Sequence, residues 1–488
     1  MNVAYFKSIK FVIIGICCFI FLSCWALSSP PGSNSDDEYH LAGIWCAYGD
    51  RPGVCAVDEF TGQKSVPMQI QRYSGPQGIF CFAGKEQASG RCIRELSSDV
   101  ILALTPTDRM SAGQYPSGFY KVNGLLVGHD INRSILAMRF MQILIAIALF
   151  SVALYTVRDF AAQVLVALLV GSVPIGLWVI PSTQPSSWSV VGLICLLIFC
   201  VGIIHNQGIA NILVASIGSC LSLIIAMQSR RDSILMIFFI ATIVLVSQNK
   251  QLLGRRDNRK LSLVILSILG LLVVLINFRF KAICSFFDLT VFSAPNFFEG
   301  LTSISPKVVF GLIGGSSQLG TPDFAPYLIV PLLMTFGLGT FAFNLWVATS
   351  KETKIATLIG ITLLFLLPLK FFTGNVGEPV SRYIYAIYLA VLIVLSIGTT
   401  IGSSQVSSNQ IVSAANIFCI VSIAHAFALH STLRRYLTGT GTKRFDLNFG
   451  AEWWWSNGLS PMSVWLIGVL SFSASLYLAI TIDETKIR

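Results

Sequence analysis

The stretch that decides the fold is IKFVIIGICCFIFLSCWALS, residues 9–28. Its length is that of a membrane-spanning helix, because about 20 apolar residues cross the hydrocarbon core of a bilayer. Similar runs recur along the 488-residue chain, which is 54% hydrophobic and 11% charged, with a mean hydropathy of +0.73. Soluble domains carry about 25% charged residues. The composition therefore excludes a water-soluble globule. The net charge of +10 is scattered, which excludes a nucleic-acid-binding domain.

The apolar runs predict an all-α polytopic membrane protein with about 12 transmembrane helices. The predicted spans are 9–28, 134–156, 161–180, 188–204, 209–227, 233–248, 261–277, 326–347, 355–371, 380–399, 409–429 and 462–480. Membrane-spanning strands would need to close a barrel, and no run alternates as barrel strands do. The first run has an alternative interpretation as a cleavable signal peptide, because the small residues Ala26 and Ser28 follow its apolar core.

Basic residues predict the orientation, since cytoplasmic loops are enriched in Lys and Arg. Lys7, Lys10 and the five basic residues between 250 and 260 favour a multi-pass protein of the plasma membrane with both termini cytoplasmic. The predicted divisions are 1–28 (first transmembrane helix), 29–133 (extracytoplasmic loop), 134–278 (helices two to seven), 279–325 (extracytoplasmic re-entrant or interfacial segment, helical over Leu301–Gly315), 326–430 (helices eight to eleven), 431–461 (extracytoplasmic loop) and 462–488 (last helix and cytoplasmic tail).

The first extracytoplasmic loop contains four cysteines: Cys46, Cys55, Cys81 and Cys92. An oxidising exterior favours disulfides, and four cysteines allow three pairings, between which the sequence does not choose. Zinc is the less favoured alternative, because no Cys-x-x-Cys spacing occurs. We therefore expect a disulfide-containing first extracytoplasmic loop.

The same loop carries three adjacent acids, Asp36-Asp37-Glu38, shortly after the first span. Adjacent carboxylates repel one another. Such a cluster suits either proton abstraction or the binding of a divalent cation (Mg, Mn or Ca) through oxygen ligands, for which Asp36 and Asp37 are the candidates. The alternative is an ordinary solvated helix start, because Asp and Glu favour the first helical turn. Both interpretations stay open on composition alone.

Several stretches resemble a bacterial, actinobacterial-type membrane protein family of unknown function. That family groups with the GT-C glycosyltransferase superfamily, which includes the mycobacterial arabinofuranosyltransferases. The matching stretches keep the family's order: Pro30-Pro31 before Asp36-Asp37-Glu38-Tyr39-His40-Leu41-Ala42, Tyr115-Pro116-Ser117-Gly118-Phe119-Tyr120, Pro185-Ser186-Ser187-Trp188, Gly320-Thr321-Pro322-Asp323 and Ser381-Arg382-Tyr383. The usual acid motif is Pro-Asp-Glu, so this chain leaves open which of its acids corresponds.

The resemblance implies a GT-C-like fold with its active site on the extracytoplasmic side. It implies a glycosyltransferase that takes a sugar from a polyprenyl-phosphate-linked donor to a cell-envelope glycan acceptor. An acid of the first outer loop would be the catalytic base, often near a divalent cation. This role falls on Asp36 or Asp37, with Glu38 and His40 as neighbours. The implied partners are membrane lipid, the lipid-linked sugar and the glycan acceptor, with no nucleic acid.

Basic and aromatic residues on the predicted outer face are candidates for substrate binding, because arginine forks match phosphate oxygens. The candidates are Arg230, Arg231, Arg382, Arg434 and Arg435, with Tyr120, Tyr383, Trp453 and Trp454. Arginines also contact ordinary anionic headgroups, and tryptophans often anchor loops at the membrane interface. Two rival functions stay open: a transporter or flippase of lipid-linked glycans, and a non-catalytic cell-envelope assembly protein.

Overall fold

The computed structural model describes residues 3–33, 36–70, 82, 85–95, 103–107, 115–206, 208–254, 296–315, 324–373, 380–402, 408–456 and 458–484. Its helices are α1 (Val3–Leu27), α2 (Asp37–Trp45), α3 (Arg91–Glu95), α4 (Ser117–Gly124), α5 (Ile131–Thr156), α6 (Ala161–Val170), α7 (Pro174–Val179), α8 (Pro185–His205), α9 (Ile209–Ser229), α10 (Ser233–Ser247), α11 (Asn249–Gly254), α12 (Phe297–Glu299), α13 (Ser305–Leu312), α14 (Ile329–Ala348), α15 (Lys351–Thr373), α16 (Ser381–Gly402), α17 (Ser408–Leu437) and α18 (Pro461–Glu484). The predicted span 261–277, the Gly320–Asp323 motif and Cys81 lie outside the described residues.

Within these ranges, nine helices are long and apolar enough to cross a membrane: α1, α5, α8, α9 and α14 to α18. Two shorter apolar helices, α6 and α10, lie where spans were also predicted. The prediction of an all-α polytopic fold is therefore confirmed. The first span packs along the last one, with Lys10 donating to the carbonyl of Thr481, so it is a member of the helix bundle.

The predicted span 161–180 is two helices, and its local sequence explains the break. Helix α6 ends before Gly171, and α7 begins at Pro174. Proline has no N–H to continue a helix, and it disfavours the helical conformation in the residue before it. Val173 is accordingly extended, with φ −68° and ψ 162°. The predicted helix over Leu301–Gly315 starts earlier, because α12 leads through a π-helical turn (Gly300–Ile304) into α13.

Two helices form the centre of the bundle. Buried residues make up 94% of the apolar window of α8 and 83% of that of α16, against 33–44% in the other seven. A helix that is apolar all round is suited to burial on all sides, whereas the other seven bury one face and leave the rest toward the lipid. The two central helices pack against each other, and their starts, Pro185 and Ser381, carry two of the motifs noted above.

The first loop is a small folded layer on this bundle. A three-stranded antiparallel sheet, β1 (Ala56–Val57), β2 (Lys64–Pro67) and β3 (Leu104–Thr107), lies beside α2. A disulfide joins Cys46, at the end of α2, to Cys55, which confirms a disulfide-containing first loop. Cys92 is also disulfide-bonded. Beneath the loop lies one apolar cluster that includes Leu41, Trp45, Val66, Phe119 and Trp188.

Two buried arginines fasten this loop to the bundle. The guanidinium of Arg139, on α5, donates to the carbonyls of Ala26, Ser29 and Pro30 at 2.7, 2.8 and 3.0 Å. That of Arg435, on α17, donates to the carbonyl of Phe82 at 2.8 Å and to that of Ala88. Because a guanidinium offers five donors in a rigid plane, each of these side chains fixes the position of two or more loop residues.

Candidate active site

Asp36 sits at the start of α2 in an unusual conformation. Its backbone is left-handed, with φ 64° and ψ 12°, and its side chain makes no capping hydrogen bond to the helix. The left-handed region is unfavourable for a residue with a Cβ by about 1–2 kcal/mol, and an aspartate at this position ordinarily stabilises a helix by capping it. Both features place the carboxylate where it faces Arg382. Strain of this kind is concentrated at functional sites.

Arg382, in the first turn of α16, holds that carboxylate. Its Nη2 lies 2.5 Å from Oδ2 of Asp36. The Arg382 side chain is only 4% exposed, whereas that of Asp36 is 45% exposed. No described residue accepts a hydrogen bond from the other two nitrogens of Arg382, Nε and Nη1, although both are buried. Buried guanidinium donors without acceptors are costly, and these two nitrogens are chemically able to donate to an anion.

A second arginine braces the same region. Arg230 donates from Nε and Nη2 to the two oxygens of Asp232, both at 2.8 Å, and from Nη1 to Oγ of Ser186 at 3.3 Å. Its guanidinium lies 4.1 Å from the ring centre of Tyr383, and that of Arg382 lies 5.4 Å from it. Burial opposes the charge on Asp232, but the Arg230 guanidinium outweighs it and keeps the carboxyl pKa below its usual value. Arg230 is thus engaged inside the protein.

His40 forms the other wall of the site with two tyrosines. Its Nδ1 lies 2.9 Å from the hydroxyl of Tyr120, and the ring of Tyr115 meets it edge-on at 5.0 Å. Burial lowers the pKa of His40 to about 3, with Arg382 and Arg230 adding to the effect and Asp36 opposing it. His40 is therefore a neutral ring near neutral pH. Burial also raises the pKa of Tyr115.

The structure separates the two adjacent aspartates. Asp37 is completely buried. It accepts a hydrogen bond from Oγ1 of Thr183 at 3.0 Å and lies within electrostatic range of Arg139. Asp37 therefore holds the loop in position through contacts inside the protein, whereas Asp36 faces the site. The side chain of Glu38 lies outside the described residues.

The expected divalent cation stays a prediction. Among the described residues, no group of three or more His, Cys, Asp or Glu side chains lies close enough to hold a metal ion. Of the two proposed ligands, Asp36 is paired with Arg382 and Asp37 is buried against Thr183. Because these donors do not converge on one point, we assign no step to a metal ion.

The remaining predicted site residues lie apart from this group. Arg434 donates to the carbonyl of Thr442 at 2.8 Å and lies 4.6 Å from the ring centre of Tyr327. Arg435 holds the first loop, as described above, and Arg231 is exposed. Trp453 is buried, and Nε1 of Trp454 donates to the carbonyl of Leu459 at 2.7 Å. Their roles in substrate binding stay predictions.

Sequence reasoning missed the residues that contact the site residues and hold them in position: Arg139, Thr183, Ser186, Asp232 and Tyr115. The sequence does carry a signal for Arg139, because a charged residue inside an apolar run is a marker of a functional or structural site. Ser186 and Tyr115 stand inside motifs that were noticed for their pattern alone. Nothing in the sequence marks Thr183, which acts only through its contact with Asp37.

Fold and site together define a multi-pass helical membrane protein with a charged site where its first loop meets the helix bundle. The chain belongs to the family described as "Predicted membrane protein (DUF2142)", whose match covers residues 19–301. The expected membership of a membrane protein family of unknown function is thereby confirmed. No curated protein matches the chain significantly.

Among solved structures, the chain is similar to ArnT from Cupriavidus metallidurans. With the apo form it shares 14% identity over 98% of this chain and 77% of that chain, with a TM-score of 0.42. With the form bound to undecaprenyl phosphate the identity and coverage are the same and the TM-score is 0.40.

Proposed function

We propose that this protein is a glycosyltransferase of the GT-C type, which transfers a sugar from a polyprenyl-phosphate-linked donor to a cell-envelope glycan on the extracytoplasmic face of the plasma membrane. The observation that carries the proposal is the pairing of Asp36 with Arg382, whose Nε and Nη1 have no acceptor among the described residues. A half-exposed carboxylate and a buried cation with unused donors are the two groups that such a transfer needs side by side.

In the proposed reaction, Asp36 accepts the proton of the acceptor hydroxyl, whose oxygen attacks the anomeric carbon of the sugar. The bond from that carbon to the phosphate oxygen breaks, and its electron pair stays on the polyprenyl phosphate. Arg382 binds this phosphate through its unused N–H donors and stabilises the charge that develops as the bond breaks. A base acts efficiently when it lies within about 3 Å of the hydroxyl, which the exposure of Asp36 permits.

The roles of the neighbours follow from their contacts. Arg230 keeps Tyr383 in place through the ring contact, and Asp232 keeps Arg230 in place. His40, neutral because it is buried, presents a hydrogen-bonding wall with Tyr120 rather than a second base. Asp37 is assigned a supporting role, because its carboxylate has no exposure.

The test is a set of matched variants expressed in the native host. Asp36→Asn and Arg382→Gln are each expected to abolish one glycan modification while the protein stays in the membrane at the normal level. Asp50→Asn, which removes an exposed acid of the same loop, is the control and should leave the glycan unchanged. Unchanged glycan in Asp36→Asn would refute the enzyme. Accumulation of lipid-linked sugar on the inner leaflet in the variants would favour a flippase instead.

The orientation is tested separately by cysteine labelling with a membrane-impermeant maleimide. Thr61→Cys lies on the exposed turn after β1, and Lys250→Cys lies beside Glu352 at the other end of the bundle. Intact cells should label the first variant and not the second, relative to the parent protein. The reverse pattern would place Asp36 on the cytoplasmic side and remove the proposed lipid-linked donor.

A further inference from the structure

A large cavity lies on a different side of α16 from the proposed active site. It is bounded by α13, α14, α15 and α16 and has a volume of about 640 Å³, within the range of about 300–1,000 Å³ for ligand sites. Tyr388 forms the part of its wall that α16 supplies, whereas Arg382 and Tyr383 face α8 and α10. Positions 382 and 388 of a helix point about 120° apart, so this cavity is distinct from the surroundings of Arg382.

Two hydrogen bonds hold α13 over the cavity. Oγ of Ser305 donates to the carbonyl of Phe365 on α15 at 3.0 Å, and Oγ of Ser381, at the start of α16, donates to the carbonyl of Val308 at 2.7 Å. Helix α13 is therefore fastened to both neighbours, and the space beneath it is already formed, as ligand sites usually are.

The described residues that line the cavity are apolar except for Lys307, Thr335 and Tyr388. Oγ1 of Thr335 donates to the carbonyl of Pro331 at 2.7 Å, so this hydroxyl is satisfied within its own helix. The remaining wall consists of aliphatic and phenyl side chains such as Leu338. Such a wall, inside a membrane protein, fits a hydrocarbon chain.

Tyr388 narrows the kind of chain. Its ring stacks on that of Tyr385 at 5.9 Å, and its buried hydroxyl donates to no described residue. A buried donor without an acceptor is costly. A polyprenyl chain is pure hydrocarbon and offers no acceptor along its length, whereas a glycerolipid carries ester carbonyls between its headgroup and its acyl chains.

Lys307 narrows the headgroup. Of the described residues that line the cavity, Lys307 alone is charged. It is exposed, and no described carboxylate pairs with it. Basic residues at the membrane surface attract anionic headgroups. A lipid in this cavity therefore presents its phosphate to Lys307 and not to Arg382.

We infer that the cavity binds an anionic glycerophospholipid of the surrounding membrane. One acyl chain fills the apolar space, its ester carbonyl accepts the hydrogen bond of Tyr388, and the phosphate pairs with Lys307. The site goes beyond the proposed transfer reaction and does not depend on it. By filling the space beneath α13, the lipid stabilises the contact of α13 with the start of α16.

The test is lipid binding to the full-length protein in detergent, measured by native mass spectrometry after removal of co-purified lipid. The probes are dioleoyl phosphatidylglycerol, its diether analogue, which lacks the ester carbonyls, and dioleoyl phosphatidylcholine, which has no net charge. The diester phosphatidylglycerol should bind about fivefold more tightly than phosphatidylcholine, the contribution of one lysine beside an anionic headgroup. It should exceed the diether by about fivefold as well, the contribution of one hydrogen bond.

Four variants assign these preferences to residues. Lys307→Gln should lose the preference for phosphatidylglycerol over phosphatidylcholine, and Tyr388→Phe should lose the preference for the diester over the diether. Thr335→Trp fills the cavity and should lose the site altogether. Thr362→Trp is its matched control and should bind as the parent does, because Thr362 is also an exposed threonine that donates to the carbonyl four residues before it, but it does not line the cavity.

Three results would overturn the inference. The first is equal binding of the probes by the parent, and the second is a Lys307→Gln protein that keeps the charge preference; this variant changes an exposed side chain and leaves the packing intact. The third comes from undecaprenyl phosphate as a further probe. If it binds the parent more tightly than phosphatidylglycerol and loses that binding in Thr335→Trp, the cavity holds a polyprenyl chain, and the phospholipid site falls while the proposed function stands.

Discussion

Replacing each of the two adjacent aspartates by asparagine should have opposite consequences. Asp37 is completely buried, accepts a hydrogen bond from Thr183 and lies within electrostatic range of the buried Arg139. Asp37→Asn removes the charged acceptor of the Thr183 hydroxyl and the negative charge near that guanidinium. Losing a buried hydrogen bond to a charged group costs about 1.5–3 kcal/mol. Because the buried Arg139 also loses a nearby negative charge, although it keeps its three bonds to backbone carbonyls, we expect the upper end, about 3 kcal/mol.

Asp36→Asn removes a weaker interaction, since the carboxylate is half exposed and such pairs contribute about 1 kcal/mol or less. The two variants should therefore differ by about 2 kcal/mol in the free energy of unfolding. Thermal unfolding in detergent, followed by tryptophan fluorescence, measures this difference. Asp50→Asn supplies the control, because it removes the same charge from an exposed site of the same loop.

If Asp36→Asn lost more unfolding free energy than Asp37→Asn, the assignment of Asp37 as the buried supporting residue and of Asp36 as the base would be refuted. An Asp37→Asn protein as stable as the parent would mean that the buried carboxylate does not support Arg139. If that protein also lost the glycan product while Asp36→Asn retained it, Asp37 would be the base and Asp36 the bystander.

Three further results are expected. Burial holds the folded-state pKa of His40 at about 3, against about 6.5 in the unfolded chain. Below pH 6.5 the unfolded chain therefore binds a proton that the folded protein does not. The stability that the neutral ring contributes is complete above pH 6.5 and is lost as the pH falls toward 3. Stability should drop by about 2–3 kcal/mol at pH 4.5, and His40→Asn should flatten that drop in thermal unfolding between pH 7 and 4.5; an equally steep profile would contradict it. Replacing both Cys46 and Cys55 by Ala removes a disulfide that joins residues nine positions apart and should destabilise the first loop by about 2–3 kcal/mol. A protease should then cleave that loop faster than in the parent, with no change in cleavage of the spans. Cleavage of the loop at the parent rate would count against this prediction. In Gly218→Ala the new methyl group would overlap a phenyl ring of α8, which should lower the free energy of unfolding by about 1–3 kcal/mol. The control Gly339→Ala, whose methyl group meets no described atom within 4 Å, should be as stable as the parent. Similar unfolding temperatures for the two variants would show that α8 and α9 pack less closely.

The helices could be predicted from the sequence because the bilayer imposes their length and composition. Nine runs became helices long enough to span, and the breaks fell at recognisable residues such as Pro174 and Pro185. The first loop was harder, since its strands are two to four residues long. So short a run carries too little alternation to indicate a strand.

The site could be predicted as a set of residues but not as an arrangement. Both members of the central ion pair were candidates, yet 346 residues separate them, and nothing local says that they touch. Neighbouring residues on a helix point about 100° apart, so the sequence does not say which acid faces the site. The same rotation sends Arg435 into the loop and Arg434 toward Tyr327.

The pairing of the first helix with the last has a consequence for how the chain is made. Cys18 and Ser475 approach each other across 457 residues of sequence, and Nε1 of Trp455 donates to the carbonyl of Leu27. During synthesis the first helix enters the membrane long before α18 exists, so one of its faces meets lipid or an insertion factor for most of translation. The packing of α1, the helix that leads into the loop with Asp36, is therefore completed only after the last helix has entered the membrane. Assembly of the bundle thus ends with a contact between the first helix and the last.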